Sequence, residues 1–201
     1  MREGTGCRPG TSRTVGSLLA TFSAALEARD PYLRGHSARV TAFAEGLARS
    51  LGWDRRRLDG LRLGGSLHDV GKIEVSESIL RKPGPLEAAE IEQIRTHPAA
   101  GAQLLTGLAE FERALPYVLH HHERWDGHGY PHRLRGDRIP LEARVLGVAD
   151  AFDAMTSVRP YRSALAVDDA LRELERCAGT QFDPRLAALF VDGWRRGAIA
   201  A

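Results

Sequence analysis

His68 and Asp69 stand side by side in Gly65-Ser66-Leu67-His68-Asp69-Val70-Gly71-Lys72, so two metal-ligand side chains sit together in what otherwise reads as an apolar helical run. His36 precedes the doublet, His97 follows it, then comes the run His120-His121-His122. Asp150 interrupts a later apolar segment made by Val145, Leu146, Val148, Ala149, Phe152 and Met155. Imidazole and carboxylate donors without a thiolate suit Mn, Fe, Co, Ni or Zn, and a carboxylate able to bridge suits two ions about 3.5–4 Å apart. Asp150 unpaired among its apolar neighbours would be costly, and a cation would satisfy it. Taken singly, a helical histidine is more often a hydrogen-bonded structural residue, and a lone Asp is usually a cap or an exposed side chain. Five or six such positions with one common use point instead to two-metal phosphoester hydrolysis.

The elements that must carry these residues read as helices almost throughout. After a Gly/Pro/Thr/Ser-rich leader over residues 1–13, Val15, Leu18, Leu19, Phe22, Ala25 and Leu26 recur at helical spacing and stop before Pro31. Val40, Phe43, Ala44, Leu47 and Leu51 form a second stripe closed by Gly52. Asp54 is an N-cap for a third helix, expected to carry Leu58, Leu61 and His68-Asp69 itself. Lys82-Pro83-Gly84-Pro85 breaks the chain, a helix follows from about Glu87 to Arg95, and His97-Pro98 opens another with Leu104, Leu105 and Leu108 on its apolar side. Gly127, Gly129, Pro131, Gly136 and Pro140 give the next stretch loop composition. Helices then run from Val145 to Met155, from Val167 to Cys177 before Gly179, and onward from an Asp183 cap with Pro184 at the first helical position. No strand-like alternation and no repeat stands out, so the fold class is all-α: one compact helical bundle over residues 14–201 with a long Gly/Pro-rich loop.

Composition narrows the partners. The chain has 201 residues, 43% of them hydrophobic, enough for one sizeable core. Its 28 basic and 26 acidic residues leave a net charge of +2, which requires neither a nucleic-acid polymer nor an anionic membrane. No apolar run approaches the ~20 residues that span a bilayer, and residues 1–14 lack the apolar stretch of a signal peptide, so a cytoplasmic protein is expected. Cys7 and Cys177 are too few and too far apart for a disulfide framework. The first apolar helix, Val15 to Leu26, can cover its own core or pair two copies into a homodimer.

His121-His122-Glu123-Arg124-Trp125-Asp126-Gly127-His128-Gly129-Tyr130-Pro131 resembles the HHExxDGxGYP signature of the HD-GYP family, bacterial phosphodiesterases of cyclic di-GMP within the HD hydrolase superfamily. Arg34-Gly35-His36-Ser37, His68-Asp69-Val70-Gly71-Lys72-Ile73, Ile79 to Gly84, Val148 to Ala154, Arg159-Pro160-Tyr161-Arg162 and Gly179 to Pro184 resemble further family segments in the family order. The resemblance covers about residue 28 to the C-terminus. It implies an HD-type helical bundle with His36, His68, Asp69 and Asp150 around one ion and Asp69, His97, His121 and His122 around a second, Asp69 bridging. Some members bind a third ion through a Glu four residues before the first His; that position is Tyr32 here, so two ions, iron or manganese, are expected. The implied reaction is hydrolysis of cyclic di-GMP to linear pGpG, and onward to GMP in some cases, by water acidified between the ions.

Only two of the basic residues are lysines, Lys72 and Lys82, and both fall within family motifs. A compact charge at Lys72 suits a substrate phosphate, and the guanidinium forks of Arg159 and Arg162 suit the same anion or a structural pair with Asp153. Asp69 and Lys72 are thus the expected catalytic pair. Tyr130 is expected at the substrate entrance, in a loop that can also dock diguanylate cyclase domains, with positive φ at Gly127 and Gly129. His120 is expected to be structural, and His128 occupies a variable position of the signature. His132-Arg133 replaces the family's usual Asp-Gly, so that turn is expected to differ, and Glu74 and Ser76 replace a Gly and a Pro without touching an expected ligand. Other readings are a cyclic di-GMP sensor or cyclase-binding module, separable by turnover; a phosphohydrolase of another cyclic dinucleotide or nucleotide, separable by a substrate panel; and a purely structural helical domain, separable by metal content.

Overall fold

The computed structural model describes residues 21–22, 24–30, 33–158 and 163–200. Residues 24–29 are helical and are called α1. There follow α2 (His36–Ser50), α3 (Arg55–Leu67), a 3-10 turn (Val70–Glu74), α4 (Glu77–Leu80), α5 (Ala88–Arg95), α6 (His97–Leu105), α7 (Leu115–His120), α8 (Leu141–Thr156), α9 (Val167–Arg176) and α10 (Pro184–Arg195). No strand forms among the described residues, only an isolated bridge between Ala178 and Phe182. The leader over 1–13, Val15 to Ala20, Tyr32, Arg159 and Arg162 lie outside the described residues.

Local chemistry sets the helix ends. Asp54 accepts a hydrogen bond from Arg57 N at 2.8 Å and Asp183 from Arg185 N at 2.9 Å, so both expected caps satisfy a free first-turn N–H. Glu87 and Glu90 close a reciprocal capping box at the start of α5. Gly52 and Gly179 adopt φ 72° and 81° where α2 and α9 stop.

The main core lies between α2, α8, α9 and α10. Phe43 meets Phe152 edge-on at 5.3 Å, and Phe152 packs on Phe190 and Trp194 at 5.0 and 4.8 Å. A second cluster of Leu67, Val70, Leu105, Phe111 and Val118 joins α3, α6 and α7. Gly71 sets how closely these parts approach. A Cβ there would stand 2.0 Å from the His97 carbonyl oxygen and 2.4 Å from Gly101 N, so only glycine lets the turn after Asp69 press against the start of α6. That contact brings Asp69 and His97 together across the seam between the two clusters.

Candidate metal centre

Histidines at helix ends converge on this seam. His36 is the first residue of α2, following Gly35 at φ 68°. His97 is the first residue of α6, and His121 caps the C-terminus of α7 with His122 next. His68 and Asp69 are not inside α3 as the sequence suggested: α3 ends at Leu67, His68 is its C-cap, and Asp69 at φ −95°, ψ 5° already starts the 3-10 turn. The helix therefore ends between the two ligand candidates, with His68 still in helical conformation and Asp69 outside it. Only Asp150 projects from a helix interior, that of α8.

The helix ends also aim the rings. The last carbonyls of a helix have no intrahelical partner. Nδ1 of His68 donates to Gly65 O at 2.8 Å, Nδ1 of His97 to Ile94 O at 2.6 Å, and Nδ1 of His121 to Val118 O at 3.0 Å. A carbonyl only accepts, so in each ring the proton sits on Nδ1 and Nε2 presents a lone pair. His36 is oriented by a carboxylate: its Nδ1 lies 2.7 Å from Asp153 Oδ2, and Arg39 grips Asp153 from Nε at 2.6 Å and Nη2 at 3.0 Å. Sequence reasoning did not find Arg39 or His36 as partners of Asp153. Its signal was the position of Asp153 one helical turn after Asp150.

The inward atoms form two groups that share one carboxylate. Donor atoms of Asp69, His97, His121 and His122 lie within 4.8 Å of one another, and so do those of His36, His68 and Asp69. His97 and His121 face each other Nε2 to Nε2 at 3.3 Å, as do His36 and His68. Asp69 Oδ1 is 3.3 Å from His97 Nε2, and Oδ2 is 3.5 Å from His68 Nε2, so its two oxygens serve different groups. Asp150 Oδ1 joins the second group, 3.3 Å from His36 Nε2. Around an ion with bonds of about 2.0–2.2 Å, neighbouring donors stand roughly 3–3.5 Å apart. Opposed lone pairs on His97 and His121 at that spacing are what a cation between them would satisfy, so the residues fit a two-ion centre with Asp69 common to both.

Electrostatics favour ligand forms. Burial, then His97, pushes His122 down to about 3. Burial also lowers His68 and holds His121 well below its ordinary value, keeping both imidazoles neutral as a metal requires. Burial works against ionisation of Asp69, but Lys72 and His68 outweigh it and keep the carboxyl well below the usual range. For His36, burial is likewise outweighed by the bonds to Asp150 and Asp153, which push it up to about 9; an ion at Nε2 would take that proton's place.

Lys72 Nζ makes a 2.7 Å ion pair with Asp69 Oδ2. Tyr130 stacks on His122 with ring centres 4.8 Å apart and an interplanar angle of 29°, and the guanidinium of Arg95 lies 5.6 Å from the centre of its ring. Lys72 and Tyr130 line a cleft of about 640 Å³ with His36, Asp69, His122 and Asp150, a size within the roughly 300–1,000 Å³ of small-molecule pockets. In the loop, Gly127 has the expected positive φ of 83°, whereas Gly129 does not. Gly129 is needed for space: a Cβ would stand 2.3 Å from Arg124 N and 2.5 Å from Glu123 Cα. At the turn expected to differ for want of glycine, Arg133 adopts a left-handed φ of 54°. Glu123, also missed, is buried and accepts from His132 N at 2.7 Å and Leu134 N at 3.0 Å, tying the loop back to the end of α7.

The sequence matches the HD domain family over residues 20–186, and the chain belongs to that family. It is 39% identical over 171 residues to the 3'3'-cGAMP-specific phosphodiesterase 3 of Vibrio cholerae, covering 85% of this chain and 37% of that protein. It is 39% identical over 181 residues to the cyclic di-GMP phosphodiesterase response regulator RpfG of Xanthomonas campestris, covering 89% and 47%. The fold resembles that of Bd1817, an HDGYP protein from Bdellovibrio bacteriovorus, with a TM-score of 0.67 at 21% identity over 80% of this chain and 51% of that one. This chain thus spans between about a third and a half of these relatives' lengths.

Proposed function

We propose that residues 14–201 form a phosphohydrolase domain that cleaves a phosphodiester of cyclic di-GMP to give linear pGpG. The carrying observation is the pair of donor groups sharing Asp69, seated in a cleft of ligand size. His36, His68, Asp69 and Asp150 would hold one divalent ion and Asp69, His97, His121 and His122 a second, with iron or manganese suited to this nitrogen and oxygen set. Two ions so held supply Lewis-acid charge and an acidified water for attack on phosphorus. The protein's own part is orientation. Main-chain carbonyls hold the rings of His68, His97 and His121, Asp153 with Arg39 holds that of His36, and Tyr130 stacks on that of His122, so the rings are set before substrate arrives. Lys72 keeps Asp69 ionised and sets a positive charge beside the place where a phosphate would lie. Tyr130 offers a ring face at the cleft wall, with Arg159 and Arg162 as further anion contacts. Water adds to phosphorus, the bond from phosphorus to one ribose 3′ oxygen breaks, and that oxygen leaves as the hydroxyl; a second cleavage would give GMP.

A second substrate, 3'3'-cGAMP, is favoured by the 39% identity to a phosphodiesterase named for it. We place the protein in the cytoplasm, a reading consistent with the lack, among the described residues, of a helix long and apolar enough to cross a membrane. Docking of diguanylate cyclase domains at the loop around Tyr130 and homodimerisation through the first helix belong to the same reading. The test is hydrolysis of both nucleotides by anaerobically purified protein, with metal measured on the same sample. Product scaling with about two ions per chain supports the assignment, and Asp69→Ala should lose both ions and turnover together. Two bound ions with neither nucleotide cleaved would overturn the enzyme reading in favour of a sensor or interaction module.

A further inference from the structure

His120 was expected to be a structural neighbour of the ligand pair, yet its ring turns to a different set of residues. Its nearest ring is that of His132, with centroids 5.4 Å apart and planes at 53°. Its Nδ1 is buried without a hydrogen-bond partner, a condition rare enough in folded proteins to need a cause. That nitrogen lies 3.9 Å from Glu123 Oε1, too far for a hydrogen bond and a little beyond the roughly 3–3.5 Å at which neighbouring donors share an ion, so a small shift of either side chain would bring both to one zinc. The Glu123 side chain has no exposed surface, and its oxygens accept only one loop N–H each from His132 and Leu134, leaving lone pairs free.

We infer that His120, Glu123 and His132 form a cation site separate from the proposed two-ion centre, for zinc or a similar borderline divalent ion. One donor atom from each residue falls within 4.8 Å of the others, and none of the three belongs to the groups around Asp69. Two imidazoles and one carboxylate are a recurrent zinc set that leaves a position for water, and His132 is exposed, so that position opens outward. Two donors sit at the end of α7 and the third beyond the Gly-Tyr-Pro turn. An ion there closes the intervening loop and fixes Tyr130 on His122, reducing the loop's freedom. The site needs His132, which stands where the family usually has Asp.

The test is the zinc content of His132→Gln against its parent after dialysis against micromolar zinc, repeated in the Asp69→Ala background. His132 is exposed and its backbone N–H bond to Glu123 survives the change, so folding should be unaffected; His120→Gln gives a second reading from the other end. The expected result is one zinc ion fewer in His132→Gln and in His120→Gln, in both backgrounds. Equal zinc in His132→Gln and its parent would overturn the site. Loss of every ion on removing His132 would overturn its separateness. If Asp69→Ala retains all its zinc, the two-ion assignment fails while the comparison at His132 still decides this one.

Discussion

Four of the five histidines proposed for the centre are useful because something behind each fixes which nitrogen carries the proton. Three of them borrow main-chain carbonyls, which substitution cannot easily remove, but His36 depends on Asp153, and Asp153 on Arg39. Partners at this remove from a metal typically change affinity or activity about 10–100-fold when altered. Asp153→Asn should therefore weaken metal binding by roughly that factor, with Arg39→Leu a smaller effect in the same direction. Titration with Mn(II) checks this, and an unchanged affinity in Asp153→Asn would mean that His36 is aimed by its neighbours' packing instead. The alanine control at His36 sets the scale for complete loss of that ligand.

At the scale of elements, two turns decide whether the ligand-bearing ends meet. The 3-10 turn after Asp69 fits against α6 only because Gly71 lacks a side chain, with 2.0 Å between its virtual Cβ and the His97 carbonyl. Backbone on both sides cannot move aside, so Gly71→Ala should cost about 3 kcal/mol or more and separate Asp69 from His97. Chemical denaturation with parallel metal analysis would show both effects, and a variant with wild-type stability would refute the close approach. The loop after Tyr130 carries the opposite situation. Arg133 holds a left-handed conformation that costs a non-glycine residue roughly 1–2 kcal/mol. Glycine gives back part of that gain through its more flexible unfolded chain. Arg133→Gly should accordingly raise stability by up to about 1 kcal/mol, read as an increased denaturation midpoint; a decrease would show that the Arg133 side chain contributes more than its backbone costs.

For the whole molecule, carboxylates held ionised by neighbouring arginines contribute to its acid limit. Asp126 is drawn down to about 2 by Arg124, with a bond from His128 N assisting, in a loop joined to residues 180–181 through Asp126 N and Trp125 N. Asp183 is lowered too, where burial is outweighed by Arg185 and Arg144. Depressed carboxyls stabilise the fold above their unfolded values near 4 and lose that contribution as pH falls through their folded values, about 2 for Asp126. Thermal melting should be flat with respect to these two groups above about pH 5 and fall below about pH 4, less steeply in Asp126→Asn; equal slopes would remove Asp126 from the account. Helical periodicity, capping residues and motif spacing are local properties, so the helical class, most helix boundaries, the HD-type relationship and the histidines and aspartates that gather at the seam were legible from the residues alone. Local reading placed His68-Asp69 inside α3, gave Gly129 a positive φ and did not find Arg39 and His36 as partners of Asp153. Each of those depended on contacts between segments far apart in the chain: the press of Gly71 on α6, the crossing of loop backbone at Gly129, and the meeting of α2 with α8 at His36 and Arg39. Only the tertiary structure decided which ring nitrogens face one another and that Glu123 and His132 turn toward His120, since those distances arise from packing that no single segment encodes.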